Sequence, residues 1–374
     1  MNGQARKIKK IDVVIGTRPE AIKMAPVILE LRGRETFSVR VIATGQHTDM
    51  LSQALGYFSL SADVNLGIMK NRQSLDYITS SVLVGVGELF DSDPPDAALV
   101  HGDTTTTFAS ALAAFYRRIP IGHVEAGLRS FDMSRPFPEE MNRLFADRLA
   151  AWHFAPTGQS RENLLREGAR DESIFVTGNT VVDALNAVLA GPAGGASGAF
   201  AQRLAGHRFI LLTAHRRESW GEPLVRICRA LLGILDLHPD LMALVPMHKN
   251  PEVRDVMRNF LGGRSRIILC DPLDYPDFVW AMDNCELIMS DSGGVQEEAT
   301  SLGKPALILR DVTERPEAVE QGSCVLVGTD GERAAKEADA ILRGYNREEL
   351  MERRLKNPFG DGFASSRIAD VLSR

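Results

Sequence analysis

Carboxylates, histidines and arginines recur in this sequence at the ends of short apolar runs, often beside glycine. The clearest case follows Leu287-Ile288-Met289, where Ser290-Asp291-Ser292-Gly293-Gly294 leads into Val295-Gln296-Glu297-Glu298-Ala299. A strand that delivers two glycines to the first turn of a helix presents free backbone N–H groups at the positive end of the helix dipole, which suits a phosphate. Glu297 or Glu298, within that turn, is placed to accept from sugar hydroxyls, which extends the phosphate to a nucleotide. Ser292 also reads as the N-cap of an ordinary strand-to-helix connection. His215, Arg216 and Arg315, at the ends of other runs, add the cations that a diphosphate needs.

A second set of residues suits proton transfer. Asp103 follows His101-Gly102, Glu125 follows His123-Val124, and Glu139-Glu140 follows Pro138. Each has a structural competitor. Asp103 before four threonines reads as a helix cap, Glu125 has Arg129 as a local ion-pair partner, and acidic residues after Pro138 stabilise a helix dipole without any further task. His101, His123, His215 and His248 all stand at strand ends, yet no HExxH or Cys/His spacing links them, so no metal site is expected. Gly16-Thr17-Arg18-Pro19 puts an arginine and a proline where the second glycine of a GxGxxG turn would allow close approach. A nicotinamide dehydrogenase is disfavoured, and no cofactor is expected.

These residues need a scaffold that gathers strand ends. Apolar runs fall at 11–15, 39–43, 97–100, 119–124, 152–155 and 174–176, and again at 209–212, 242–245, 267–270, 287–289, 306–309 and 325–327. Between them, segments such as 20–31, 74–89, 103–116 and 224–235 carry apolar residues at three- and four-residue steps. Continuous short runs alternating with helices predict two α/β domains, each with a parallel sheet covered on both faces. A chain of 374 residues is also too long for one ordinary core. The expected division is 1–177 plus 358–374 against 178–357, with the tail after Pro358, carrying Ile368, Val371 and Leu372, returning to the first domain. Gly191–Gly198 is the only low-complexity stretch and reads as a surface loop or, alternatively, as the linker. Open α/β sheets bind ligands beyond their strand ends, so two domains with polar strand ends are expected to face each other across a cleft.

A net charge of −6 offers no basic footprint for nucleic acid or an anionic membrane, so neither is expected as a partner. No apolar stretch approaches the ~20 residues of a membrane span, and the run after Lys7-Ile8-Lys9-Lys10 is too short for a signal peptide. Cys228, Cys270, Cys285 and Cys324 show no CxxC spacing and read as buried, reduced thiols of a cytoplasmic protein.

In order along nearly the whole chain, the segments Gly16-Thr17-Arg18-Pro19-Glu20-Ala21-Ile22-Lys23, His101-Gly102-Asp103-Thr104-Thr105-Thr106-Thr107 and His123-Val124-Glu125-Ala126-Gly127-Leu128-Arg129 are followed by Pro138-Glu139-Glu140 and Asn142-Arg143. Thr177-Gly178-Asn179-Thr180, His215-Arg216-Arg217-Glu218-Ser219, Asp291–Glu298 and Thr313-Glu314-Arg315-Pro316-Glu317 complete the set. With these motifs the sequence resembles the non-hydrolysing UDP-N-acetylglucosamine 2-epimerases, which have the two-domain GT-B fold. The motif Gly16–Lys23 separates that group from hydrolysing relatives.

The resemblance implies reversible inversion at C2 of UDP-N-acetylglucosamine to UDP-N-acetylmannosamine by elimination of UDP, through 2-acetamidoglucal, and re-addition. It places Arg18, Lys23, His215, Ser292, Gly293, Gly294, Glu298 and Arg315 at the nucleotide, with Glu298 on the ribose, His215 on the departing diphosphate and Phe278 near the uracil. Asp103, Glu125 and Glu139 would flank the sugar as acid, base or stabiliser of positive character at C1; which of them takes the C2 proton stays open. Glu139 is preferred to Glu140 on motif alignment. Gln46, His47 and Arg72 match a substrate-activation site of some bacterial members, but Asp49 replaces a glutamine there, and Leu273 replaces a glutamine that some relatives have near the uracil. A homodimer and a place in cell-surface polysaccharide synthesis are further family expectations. A hydrolysing epimerase, a GT-B glycosyltransferase and a non-catalytic nucleotide-sugar sensor are the competing classes.

Overall fold

The computed structural model describes residues 8–45, 48–70, 73–191, 199–214, 216 and 219–374. Within the first unit, β1 (Lys9–Ile15), β2 (Phe37–Ala43), β3 (Val64–Asn65), β4 (Ala97–His101), β5 (Ile121–Val124), β6 (Trp152–Ala155) and β7 (Ile174–Val176) form one sheet in the order β3-β2-β1-β4-β5-β6-β7. All pairings are parallel, with Ile11 in register with Val39 on one side and Ala97 on the other. The second unit repeats the plan with β8 (Arg208–Thr213), β9 (Leu241–Pro246), β10 (Ile267–Cys270), β11 (Leu287–Ser290), β12 (Ala306–Ile308) and β13 (Cys324–Leu326), ordered β10-β9-β8-β11-β12-β13 and again parallel throughout. These are two Rossmann-like sheets, the components of a GT-B fold.

Strand composition explains the sheets. In β1, Ile11, Val13, Val14 and Ile15 are all buried, as a strand covered on both faces requires. Each such side chain contributes roughly 1.5–3 kcal/mol on burial. Asp12 interrupts the run at zero exposure and is held by the Arg40 guanidinium from β2. The twelve apolar runs each supply a strand, with ends that differ by up to two residues: β1 and β2 begin early, at Lys9 and Phe37, and β5 begins late, at Ile121. Only β3 lies outside them, because a two-residue edge strand, Val64-Asn65, has too little sequence to show a pattern. No helix among the described residues is long and apolar enough to cross a membrane.

The chain leaves the first unit inside the helix Thr180–Ala190, between Ala184 and Leu185, and returns to it between Pro358 and Phe359. The early part of that helix is tied to the returning segment. Asn179 N–H donates to the Phe359 carbonyl at 2.7 Å, and Gly178 (φ +88°) brings the two backbones so close that a Cβ there would lie 3.2 Å from that same oxygen. The final helix, Ala364–Leu372, has Phe363 at its N-cap position and no side-chain cap of its own. Asp183 supplies one from the other helix, accepting from Ser365 N–H at 2.8 Å and Ala364 N–H at 3.2 Å. Ile368 and Leu372 are buried, and Lys9 Nζ donates to the Leu372 carbonyl at 2.9 Å. Asp183→Ala should therefore lower unfolding stability by about 1–2 kcal/mol, read from urea denaturation. An unchanged midpoint would show that the borrowed cap contributes nothing.

Candidate functional site

In each sheet the strand order reverses once, between β1 and β4 in the first unit and between β8 and β11 in the second. Connections diverge at such a point, and the loops beyond the carboxyl ends of the two strands leave a crevice. Both candidate groups gather around these reversals, each within its own unit, and draw further residues from beyond the neighbouring strands β5 and β12.

In the first unit, Glu20 pins the two loops together. Its carboxylate accepts from Gly16 N–H at 2.8 Å and Thr17 N–H at 2.6 Å after β1, and from Thr104 Oγ1 at 2.6 Å and Thr107 Oγ1 at 3.1 Å after β4. Burial pushes its pKa up, opposed by the bonds from Thr104 and Gly16. Thr17 and Glu20 also form a capping box for the helix Arg18–Arg32, which explains why that helix starts at Arg18, ahead of its apolar pattern. A Cβ on Gly16 would overlap Thr106 Oγ1, so only glycine fits.

Beyond β4, Thr104 caps the helix Thr105–Tyr116, its Oγ1 accepting from Thr107 N–H at 3.1 Å. Asp103 is thereby released from the capping task open to it in the sequence. Its carboxylate is paired with the Arg143 guanidinium, and its backbone carbonyl accepts from Asn142 Nδ2 at 2.9 Å. Arg143 also reaches Glu140 at 3.0 Å. Glu140 is buried and accepts from the N–H groups of Ser130 and Phe131, so it is built into the loop before its helix. Glu139, the first residue of the helix Glu139–Leu149, is half-buried beside it.

Glu125 lies just past β5 in the left-handed region, at φ +67°, a conformation that costs a non-glycine residue about 1–2 kcal/mol. Such strain persists only where the surroundings impose it. Here Glu125 Oε2 accepts from Lys23 Nζ and from Asn179 Nδ2, the latter at 2.8 Å, and lies 3.7 Å from His101 Nε2. Lys23, matched to the nucleotide by resemblance, is thus found beside the carboxylate, and both are buried.

Arg129, the local partner suggested by the sequence, turns away to Asp147 and Glu167, both at 2.6 Å. Asp147 in turn bonds His123 Nδ1 at 2.6 Å and accepts from Gly127 N–H at 3.2 Å, while His123 Nε2 meets the Gly102 carbonyl at 2.7 Å. Although burial alone would raise it, the Asp147 pKa is driven well down by His123 and Arg129. This buried chain braces the backbone on both sides of Glu125 and just ahead of Asp103.

In the second unit, Thr213 at the end of β8 bonds Ser290 at the end of β11, Oγ to Oγ at 2.9 Å. Asp291, fully buried, accepts from Arg216 N–H and Ser219 Oγ, each at 2.9 Å, and so fixes the loop after β8. Ser292 occupies the N-cap position of the helix Gly293–Leu302, yet its hydroxyl makes no capping bond. Arg315 lies against the first turn, with Nη1 2.7 Å from where a Cβ of Gly293 would stand. Its Nε donates to Glu297 at 2.6 Å and its Nη1 lies 3.4 Å from Glu314. Glu297 is thereby committed to the arginine, and Glu298 is the other buried acid of the turn. A helix terminus with an arginine at its mouth can take an anionic oxygen through backbone N–H groups and a guanidinium together.

Phe278, half-buried, lies in the first turns of the helix Tyr275–Asn284, which is capped by Asp274. Arg18 is half-buried at the start of its helix. His215, Gln46, His47 and Arg72 lie outside the described residues. All four cysteines are free thiols; burial raises Cys228, Cys285 and Cys324 to about 12 and half-buried Cys270 to about 11. Among the described residues, no three His, Cys, Asp or Glu side chains are grouped to hold a metal ion.

Glu20, Asn179, Arg143 and Asp291 are organising residues to which sequence reasoning gave no role, although all four stand in the motifs it picked out. Each has at least one partner distant in the chain, and only its position at a strand or helix end pointed to it.

The family model for UDP-N-acetylglucosamine 2-epimerase matches residues 29–373. The UDP-N-acetylglucosamine 2-epimerase of Escherichia coli O157:H7 is 48% identical over 375 residues, covering 97% of this chain and 98% of the relative. That of Bacillus subtilis is 48% identical over 363 residues, covering 97% and 94%. Among solved structures, the Neisseria meningitidis UDP-GlcNAc 2-epimerase bound to UDP-GlcNAc has a TM-score of 0.89 at 44% identity, covering 97% of this chain and 99% of the other. The Methanocaldococcus jannaschii enzyme in complex with UDP-GlcNAc and UDP has a TM-score of 0.85 at 35% identity, with coverages of 97% and 99%.

Proposed function

We propose, from the premise that this chain belongs to the UDP-N-acetylglucosamine 2-epimerase family, that it is a non-hydrolysing member, interconverting UDP-N-acetylglucosamine and UDP-N-acetylmannosamine. The observation that carries the reading is the uncapped terminus of the helix Gly293–Leu302 with Arg315 at its mouth, a ready seat for the diphosphate of a nucleotide sugar. The substrate-bound Neisseria relative supports the choice of ligand.

The C2 hydrogen of the sugar is not acidic, because C1 is an acetal carbon and not a carbonyl. Removing it alone is too slow. Anti elimination solves this: the C2–H bond breaks, its electrons form the C1–C2 double bond, and UDP leaves with the electron pair of the C1–O bond. The resulting 2-acetamidoglucal takes UDP back as C2 is protonated from the other face.

Such a route needs stabilisation of the departing diphosphate and at least two proton-transfer groups. Ser292, the N–H groups of Gly293 and Gly294, Arg315, Arg18 and His215 serve the diphosphate in this reading, Glu298 the ribose and Phe278 the uracil. Asp103, Glu125 and Glu139 serve the sugar, and the buried Lys23 is paired with Glu125. No cofactor is required.

Incubation with UDP-N-acetylglucosamine in deuterated water tests the proposal. Deuterium should enter C2 of both epimers, which should reach an equilibrium mixture with little free UDP. Free N-acetylmannosamine with stoichiometric UDP would instead identify a hydrolysing epimerase, and UDP release without deuterium at C2 a transferase. The same reading makes the protein a cytoplasmic homodimer that supplies cell-surface polysaccharide synthesis. Exposed Phe115 and Tyr116, on and at the end of one helix, and Phe145 on a neighbouring one offer apolar surface for the dimer.

A further inference from the structure

His101 closes β4 with 4% exposure, and its Nε2 is buried with no hydrogen-bond partner. Buried polar atoms almost always find partners, so an orphan calls for a reason. This one faces Glu125, 3.7 Å from an oxygen that already accepts from Lys23 and Asn179. Desolvation lowers the His101 pKa to about 4, with Glu125 pulling it up and Lys23 pressing it further down, so the ring is neutral at neutral pH. The other charged or titratable groups acting on it are His123 and Asp103.

A neutral imidazole has one N–H and one lone pair. Had Nε2 carried the hydrogen, it would face an anionic acceptor and close on it, because charge-assisted bonds are short and strong. A separation beyond hydrogen-bond reach is what two lone-pair atoms adopt when other groups supply the donors. The arrangement is then complete only when the carboxyl itself carries a proton.

We propose that the Nε2 lone pair of His101 is the hydrogen-bond acceptor for the protonated form of Glu125, which makes His101 a positioning residue for proton transfer at C2. This rests on the epimerase reading and on Glu125 being one of its transfer groups. When the C2–H bond breaks and UDP departs, the proton passes to a Glu125 oxygen. The new O–H donates to His101 after a movement of about 1 Å, within the broad terminal torsion of a glutamate. The protonated Glu125, held oriented, exchanges its proton with solvent and serves return to C2 from its own face. A second transfer group protonates C2 from the opposite face to complete the inversion.

The test uses the full-length enzyme with UDP-N-acetylglucosamine in deuterated water. His101→Phe fills the ring volume without an acceptor, His101→Leu is a second acceptor-free variant, and His101→Asn offers an amide oxygen. The acceptor-free variants should lose about tenfold or more in kcat and in deuterium incorporation, with KM and UDP affinity within about twofold of wild type. His101→Asn should recover part of the rate. Wild-type exchange in the acceptor-free variants would overturn the proposal. So would joint loss of exchange and UDP affinity with no rescue by asparagine, because the ring would then only fill space. Absence of exchange in the wild-type enzyme would sink the epimerase reading and this proposal with it, so the wild-type arm separates the two failures.

Discussion

Glu125→Gln is expected to lower kcat for epimerisation by about a thousandfold while leaving UDP affinity within a factor of about three. The substitution keeps the shape of the side chain and an oxygen for Asn179, but removes the group that can take up and return a proton. It also leaves the 6%-exposed Lys23 without the carboxylate it is paired with. Breaking a buried pair on one side costs on the order of 3 kcal/mol. Activity and stability should therefore fall together, and a second change separates them. Adding Lys23→Met should return much of the lost stability, measured by urea unfolding, and none of the lost rate. Deuterium incorporation at C2 reports the chemical step directly. A Glu125→Gln enzyme that exchanges hydrogen as fast as the wild type would move the proton-transfer role to Asp103 or Glu139.

Arg315→Met should weaken UDP binding by about a hundredfold, measured by titration calorimetry, because the guanidinium next to Gly293 is the charge available to the diphosphate at that helix terminus. The structure adds a second consequence. Glu297 has no exposure and Glu314 has 3%, and both lean on Arg315, although Glu314 keeps Arg310 at 3.0 Å. Stability should fall by about 3–5 kcal/mol, mainly from the stranded Glu297. Arg315→Lys should recover only part of either loss, because a point charge cannot span a phosphate and Glu297 in one plane. Undiminished UDP affinity in a folded Arg315→Met protein would place the diphosphate elsewhere.

Much of the architecture was legible because its signals are local. A strand buried on both faces is mostly apolar, and the twelve apolar runs read from the sequence are strands. Helix starts were less legible, since caps extend the pattern. Thr17 with Glu20 starts one helix early, and Thr104 takes the capping role that Asp103 had also suggested. The candidate groups were legible as classes of residue at strand ends, because parallel sheets expose ligands only there.

Partner choice was not legible. Glu125 had Arg129 four residues away, but pairs with Lys23, 102 positions distant, while Arg129 goes to Asp147 and Glu167. Asp183 caps a helix that starts 181 residues later. By itself the sequence determined which segments become strands and helices and which polar residues end them, since these follow from periodicity and from the needs of neighbouring backbone groups. Only the tertiary structure decided which buried charge meets which. A buried ion takes the opposite charge that the folded sheet brings within a few ångströms, and distance along the chain carries no information about that.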